Sequence, residues 1–189
     1  MKKVIVFALF AAVIAGTLGS CKKVVSNLFK GFDAEIPEIV VTIPKPPLPP
    51  GIPPPAEEIS IGAFTQSFNL DSIIKANTAG AFGAGDVKSV KIKKMVFAIK
   101  NADADNNLAN FQSARFEISS NSNTTPAPLA SFTFPDAFAD SKTYDAPENA
   151  PELKSYLTGT QLTYYSYAKI RRYTTKAITL SIKVTITAK

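Results

Sequence analysis

The sequence predicts an all-β protein, an antiparallel β-sandwich of about seven strands and of immunoglobulin-like size, with one or two short helical turns. Three observations lead to this fold class. Apolar and polar residues alternate with a period of two in several stretches, turn-forming residues separate these stretches, and no stretch has the long 3.6-residue period of an amphipathic helix. The sandwich domain is predicted to span 57–189, a length that supports a single core.

The predicted domain opens with a strand and a helical turn. Ile59 and Ile61 alternate with polar residues, and the strand continues toward Phe68. Asp71 follows as the expected cap of a short helical turn, since aspartate accepts hydrogen bonds from the first free N–H groups of a helix. A loop rich in glycine and alanine, 77–86, leads to the next strand.

The next strand, 87–101, changes its pattern partway along. Its apolar residues form two sets of opposite parity, Val90 and Ile92, then Met95, Phe97 and Ile99. A side chain cannot pass from one face of a sheet to the other, so both sets point inward only if an extra residue lies between them. The sequence therefore predicts a β-bulge at Lys93 and Lys94.

The second half of the domain is predicted to add four strands, at 114–118, 130–134, 161–172 and 178–186. The last of these alternates without a fault, which indicates one buried and one solvated face. A helical turn at 151–157 begins with proline and is followed by glycine, as is typical of helix starts and ends.

The first twenty residues have the layout of a secretory signal peptide. Lys2 and Lys3 precede an uninterrupted apolar run, 4–14, and small residues follow it at 15–17. The run is shorter than the roughly 20 residues that a transmembrane helix needs. Residues 1–20 are therefore predicted to be cleaved.

Cys21 is the only cysteine, so it has no partner for an intramolecular disulfide. It ends the tetrapeptide Leu18-Gly19-Ser20-Cys21, which resembles the lipobox of bacterial lipoprotein precursors. The resemblance covers only residues 1 to about 21. It implies that signal peptidase II cleaves between Ser20 and Cys21, that a diacylglyceryl group is attached to the sulfur, and that the new amino terminus is acylated. Ordinary secretion is the alternative.

The residues after Cys21 bear on location. Lys22 stands where an aspartate would retain an enteric lipoprotein in the inner membrane, and no acidic cluster follows. The resemblance therefore implies an outer-membrane lipoprotein that faces the periplasm. Residues 21–56 are predicted to be a tether, with a short strand at 36–43 whose pairing with the sandwich is left open. A proline-rich stretch, 44–55, is predicted to be a stiff polyproline II stalk, or alternatively a ligand for a proline-binding partner.

Composition removes most enzyme classes. The chain contains no histidine and one cysteine, which excludes Ser-His-Asp and Cys-His catalysis and the usual zinc, copper and haem sites. A net charge of +6 is a weak signal for nucleic acid, which we do not expect as a partner. We expect a non-enzymatic binding or scaffolding module that contacts another envelope component. A rival is an enzyme that uses two carboxylates alone.

The strongest candidate ligand face combines aromatic and cationic residues near the end of the chain. Its members are Tyr164, Tyr165, Tyr167, Tyr173, Arg171 and Arg172. Tyrosines beside cations can stack on sugars, so this face predicts a glycan-binding module as the alternative function. Tyrosine is also a good strand former on either face of a sheet, which is the structural alternative.

Two weaker candidates remain. Asp103, Asp105 and Asn107 have the D-x-D-x-N spacing of a Ca²⁺ loop, but Leu108 and Ala114 replace the glycine and glutamate of an EF-hand. A polar hairpin loop is the alternative, and no other cofactor is expected. Asp71-Ser72-Ile73 resembles the acceptor motif for O-glycosylation in Bacteroidetes, which would make Ser72 the modified residue.

Overall fold

In the computed structural model, which describes residues 31–45 and 51–189, eight strands form two four-stranded antiparallel sheets that pack face to face. This arrangement confirms the predicted β-sandwich. The predicted signal peptide and lipobox, with Ser20 and Cys21, lie outside the described residues.

The first sheet contains four strands: β1 (Phe32–Ile43), β3 (Val90–Ile99), β6 (Ser141–Asp145) and β8 (Ile178–Ala188). Their order across the sheet is β1-β8-β3-β6, so β1 and β6 are its edges. The second sheet contains the other four: β2 (Ile59–Ser67), β4 (Phe111–Ser120), β5 (Ala127–Thr133) and β7 (Gln161–Ile170). Their order is β2-β7-β4-β5, so β2 and β5 are the edges.

Consecutive strands alternate between the two sheets in a regular way. The chain passes from one sheet to the other at nearly every connection, and only β4 and β5 are consecutive neighbours in one sheet. The two orders set β1 beside β2 at one side of the sandwich and β6 beside β5 at the other. This is the jelly-roll form of the β-sandwich.

Within 31–45 and 51–189, the helical elements are α1 (Leu70–Asn77), a 3₁₀ turn (Leu108–Asn110) and α2 (Lys154–Leu157). The prediction that Asp71 caps the first helix is wrong. The cap is Asn69, whose Oδ1 accepts a hydrogen bond from Ser72 N at 2.9 Å. Leu70, fully inside the core, is the first helical residue, so Asp71 falls within the first turn and pairs with Lys75 at 2.6 Å.

The bulge predicted in the third strand is present. Ile92 pairs with Ile186 and Lys94 pairs with Thr185, so Lys93 is the extra residue. The insertion restores the inward face, because the apolar residues on both sides of it are buried.

The sandwich begins earlier than the predicted boundary at 57. β1 pairs along its length with β8, which answers the open question about 36–43 and places this stretch in the fold rather than in a tether. The strand itself was predicted, but two features obscured its start at Phe32 and its place in the sandwich. Ile36 and Ile39 both point into the core at a spacing of three, because a bulge lies between them, and Pro37 within a run argues against a strand except at an edge.

The proline-rich stretch is an internal connection rather than a stalk. Residues 44–58 join β1 in one sheet to β2 in the other, so both ends of the stretch belong to the same sandwich. Its second half contacts the domain, since Tyr173 Oη donates a hydrogen bond to Pro53 O at 3.3 Å. Proline lacks an N–H group and cannot extend a ladder, which suits a chain that must leave one sheet before entering the next.

Candidate functional site

Strand β7 divides the predicted tyrosine face in two. Tyr164 is 1% exposed and points into the core, whereas Tyr165 and Tyr167 are half-buried on the outer face of the second sheet. Successive residues of a strand point to opposite sides, so Tyr164 cannot share a face with its neighbours. The prediction that Tyr164 shares one face with Tyr165 and Tyr167 is therefore wrong.

The outer face of the second sheet carries a compact group around Arg115. The Arg115 guanidinium lies 4.0 Å from the centre of the Tyr167 ring, and the two residues are paired across β4 and β7. Arg115 Nη2 lies 2.9 Å from Glu58 Oε2, and Arg115 Nη1 contacts Glu117 Oε1. The hydrogen bond to Glu58 is the main cause of a raised pKa for Arg115. We call Glu58, Arg115, Glu117, Tyr165 and Tyr167 the outer-face cluster.

Tyr165 extends this cluster toward β2. Its Oη lies 3.2 Å from Ser119 Oγ, and it is paired with Glu117 on one side and Ala63 on the other. Since Ala63 is small, the sheet beside the Tyr165 ring has no bulky neighbour at that position. The cluster thus offers aromatic rings, fixed carboxylates and hydroxyl groups on one surface.

Arg171 and Arg172 do not belong to this surface. Arg171 Nη1 donates to the carbonyls of Ala109 and Phe111 at 2.7 and 2.9 Å, and its Nη2 donates to Phe134 O at 2.9 Å. Arg172 pairs with Asp136 at 2.6 Å. Tyr173 bonds to the proline-rich connection. The polar groups of all three side chains thus bind other loops of the same chain. The prediction that they join Tyr165 and Tyr167 in one face is wrong.

Sequence reasoning missed the cation that does accompany these tyrosines. Arg115 and Glu117 are polar positions of β4, alternating with the core residues Ala114, Phe116 and Ile118. The period of two showed that they point outward, but not which strand lies next to β4. That neighbour depends on sheet order, which is set by long-range pairing.

Side chains of the D-x-D-x-N loop bond to the loop's own backbone and to a neighbouring loop. Asp103 Oδ1 accepts from the backbone N–H of Asp105 and Asn106 at 3.0 and 2.9 Å, and Asp103 Oδ2 lies 2.5 Å from Lys176 Nζ. These contacts, the ion pair with Lys176 first, lower the pKa of Asp103 to about 2. Asn107 is buried, and its Oδ1 caps the 3₁₀ turn through Ala109 N. The arrangement fits a structural loop rather than a Ca²⁺ site, but the predicted hairpin is wrong, because β3 and β4 lie in different sheets.

Ser72 lies exposed in the first turn of α1, where its backbone N–H is held by Asn69. Within residues 31–45 and 51–189, no three histidine, cysteine, aspartate or glutamate side chains come together as metal ligands. In the same part of the chain, no helix is long and apolar enough to cross a membrane.

No protein-family model and no curated protein matches this chain. Among solved structures, it resembles the decameric BFDV capsid protein, with a TM-score of 0.37 and 10% identity over 85% of this chain and 100% of that one. It also resembles the Kashmir bee virus empty particle at acidic pH, with a TM-score of 0.34 and 11% identity over 84% and 92%. The third is the family 32 carbohydrate-binding module of C. perfringens NanJ in complex with galactose, with a TM-score of 0.35 and 8% identity over 82% and 99%. Similarity this low carries no argument about function.

Proposed function

We propose that this chain is a lipid-anchored, non-enzymatic binding module of the cell envelope, held at the outer membrane and facing the periplasm. The observation that carries the proposal is the lipobox-like Leu18-Gly19-Ser20-Cys21 placed close to the domain. The first strand begins at Phe32, 11 residues after Cys21. Eleven extended residues span at most about 40 Å, so an acylated Cys21 would keep the sandwich near the membrane surface.

Fractionation of the native protein beside a Cys21→Ser variant tests the anchor. We expect acyl mass on the native protein and its partition into the detergent phase, and a Cys21→Ser form that is unacylated and either soluble or uncleaved. Two or three acyl chains make membrane attachment effectively permanent, so the difference should be nearly complete. Ser20→Ala keeps a small residue before the cysteine and should behave as the native protein. A soluble, unmodified native protein would overturn the proposal.

A second candidate function is glycan binding by the outer-face cluster. It is favoured by the half-buried rings of Tyr165 and Tyr167 on the outer face, beside a guanidinium that is fixed between two carboxylates. Aromatic rings can cover the apolar face of a sugar ring, while charged groups make strong hydrogen bonds to its hydroxyls.

The glycan hypothesis is tested by retention on immobilised envelope polysaccharides. Tyr165→Ala combined with Tyr167→Ala should lower retention at least tenfold, whereas Phe138→Ala, at a side chain that is 63% exposed elsewhere, should not. Equal retention of all three proteins would eliminate sugar binding at this face.

The proposal includes no catalytic activity. Glu58 and Glu117 are two carboxylates that lie near each other, because both contact Arg115. Their oxygens bind that guanidinium on an open sheet face instead of flanking a substrate in a cleft, as glycosidase carboxylates do. Hydrolysis of envelope polysaccharide that is lost with Glu117→Gln would contradict this part of the proposal.

A further inference from the structure

The side of the sandwich where β1 lies beside β2 contains a groove. Gln66 Nε2, on β2, donates a hydrogen bond to Pro37 O, on β1, at 3.1 Å, and so links the two edge strands at one point. Beyond this link a cavity of about 530 Å³ lies between residues 38–42 of β1 and residues 64–66 of β2, with Tyr164 also in its wall. Its size is that of a typical ligand site.

Two residues in the wall of this groove each have a side-chain oxygen with no partner within the described residues. These oxygens are Tyr164 Oη and Gln66 Oε1, and both are buried. Tyr164 is 1% exposed, and its burial raises the pKa of the phenol, so the hydroxyl is neutral and can both donate and accept. Buried polar groups are nearly always hydrogen-bonded, so an unpaired hydroxyl and an unpaired amide oxygen in one groove point to a ligand.

The β1 wall supplies a strand edge. Across the described residues β1 forms a ladder with β8 alone, so alternate backbone N–H and C=O groups of 38–42 point away from the sheet. Proteins usually protect such an edge with charged side chains, proline or a bulge. Pro37, Glu38 and the bulge before Ile39 protect its start, but 39–42 contains no charge and no proline, and the Val40 side chain is 50% exposed. Pro37 and Pro44 stand on either side of this stretch, which confines the unprotected edge to the length of the groove.

The charge of the groove indicates what fits it. Glu38 is the acidic residue in its wall, and this carboxylate already accepts from Ser181 Oγ at 2.5 Å and pairs with Lys100 at 3.0 Å. An occupant therefore needs no charge at its centre. It needs backbone groups for the β1 edge, and a short polar side chain for Gln66 Oε1 and Tyr164 Oη.

We propose that this groove binds an extended, uncharged polypeptide segment of a partner protein, which adds to the first sheet as a fifth strand beside β1. Five residues of β1 offer an edge of about 17 Å, enough for a short strand. Backbone bonds to 38–42 provide affinity, and an asparagine, serine or threonine pointing inward bonds to Gln66 and Tyr164, which provides selectivity. This inference rests on the proposed binding role, but not on the lipid anchor or the outer-face cluster.

The test uses the purified mature protein and a phage-displayed library of random twelve-residue peptides as the probe. We expect enriched peptides with alternating apolar and polar residues and a short polar residue in the centre. Tyr164→Phe removes only the hydroxyl and should weaken their binding at least tenfold, while Tyr144→Phe, at the opposite side of the sandwich, should leave it unchanged. Val40→Lys places a charge on the exposed edge and should abolish binding without a core change.

Hydrogen exchange locates the bound peptide, and we expect slower exchange of the amides at 38–42. Failure to enrich any peptide, or binding that is equal in Val40→Lys, would overturn the proposal. So would a native dimer that Val40→Lys converts to monomers, because the occupant would then be a second copy of the chain. None of these results bears on acylation of Cys21 or on glycan retention, so each proposal fails separately.

Discussion

The two sides of this sandwich, where edge strands of the two sheets lie next to each other, differ in the contacts that join the sheets. At the β5/β6 side, the Phe132 ring lies 5.9 Å from Tyr144, 5.8 Å from Phe97 and 6.1 Å from Phe134, so aromatic rings close the gap between the sheets. At the β1/β2 side, one hydrogen bond from Gln66 spans the gap and a groove remains beside it.

If the groove binds a peptide as proposed, one fold keeps stability and recognition on separate sides. Aromatic pairs bury a large area and contribute roughly 0.5–1.5 kcal/mol beyond that burial, which favours the β5/β6 side as the stable part of the core. A buried hydroxyl without a partner costs about 1–3 kcal/mol, which is a reason to expect function where Tyr164 lies. Substitutions at the two sides test this contrast, beginning with the stable side.

Phe132→Ala should have the largest effect. It removes the ring that contacts both sheets at the closed side, and truncation of a buried phenylalanine typically costs about 3–5 kcal/mol. Urea denaturation followed by circular dichroism measures the free energy of unfolding. Phe138→Ala, at an exposed side chain, is the control and should stay within about 0.5 kcal/mol of the native protein. A loss below about 1 kcal/mol for Phe132→Ala would mean that the aromatic cluster does not hold the sheets together.

Arg171→Lys should cost somewhat less, about 2 kcal/mol. The guanidinium bonds to carbonyls on the turn before β4, at the start of β4 and just after β5, and an ammonium group lacks the fork that reaches them together. Arg172→Lys is the control, because that side chain is 54% exposed, and it should cost less than about 1 kcal/mol. If Arg171→Lys lowers the free energy of unfolding as little as Arg172→Lys does, the positive charge of Arg171, rather than its fork of donors, stabilises the fold.

The sequence predicted those parts of the fold that depend on local alternation of apolar and polar residues. It identified the inward residues of β4 and β8, and the parity change at Lys93 located the bulge correctly. It missed β6, whose five residues carry one large apolar side chain, Tyr144, and so show no alternation. It placed β1 outside the domain because Pro37 and the bulge beside it interrupt the pattern.

The candidate site was harder to predict, for two different reasons. The inward position of Tyr164 follows from the period of two and was available from the sequence. The partnership of Tyr167 with Arg115 joins residues 52 positions apart and depends on β4 lying next to β7. The groove at the β1/β2 side requires the order of both sheets, which no local pattern contains.

Tyr164→Phe should stabilise the protein by about 1 kcal/mol, in contrast to the losses at the closed side. The substitution keeps the buried ring and removes a hydroxyl that has no partner in the described residues. The same denaturation experiment measures the gain, with Tyr144→Phe as the matched removal of a hydroxyl at the other side. Destabilisation by Tyr164→Phe would indicate that the hydroxyl already contributes to the fold, and the expected trade of stability for binding would be absent.

The smallest effect on stability is expected at Asp103, whose carboxylate is exposed in the loop between β3 and β4. Its folded-state pKa, about 2, is below the ordinary aspartate value because Lys176 and Asn106 stabilise the ionised form. A group with a depressed folded pKa adds stability above its unfolded pKa of about 4, and this contribution disappears as the pH falls toward 2. The native protein should therefore exceed Asp103→Asn in stability at pH 6, and the two should converge near pH 2. Asp105→Asn, in the same loop, controls for the loss of one negative charge. If the gap between native protein and Asp103→Asn is the same at both pH values, the side-chain amide, rather than the charge, accounts for the difference.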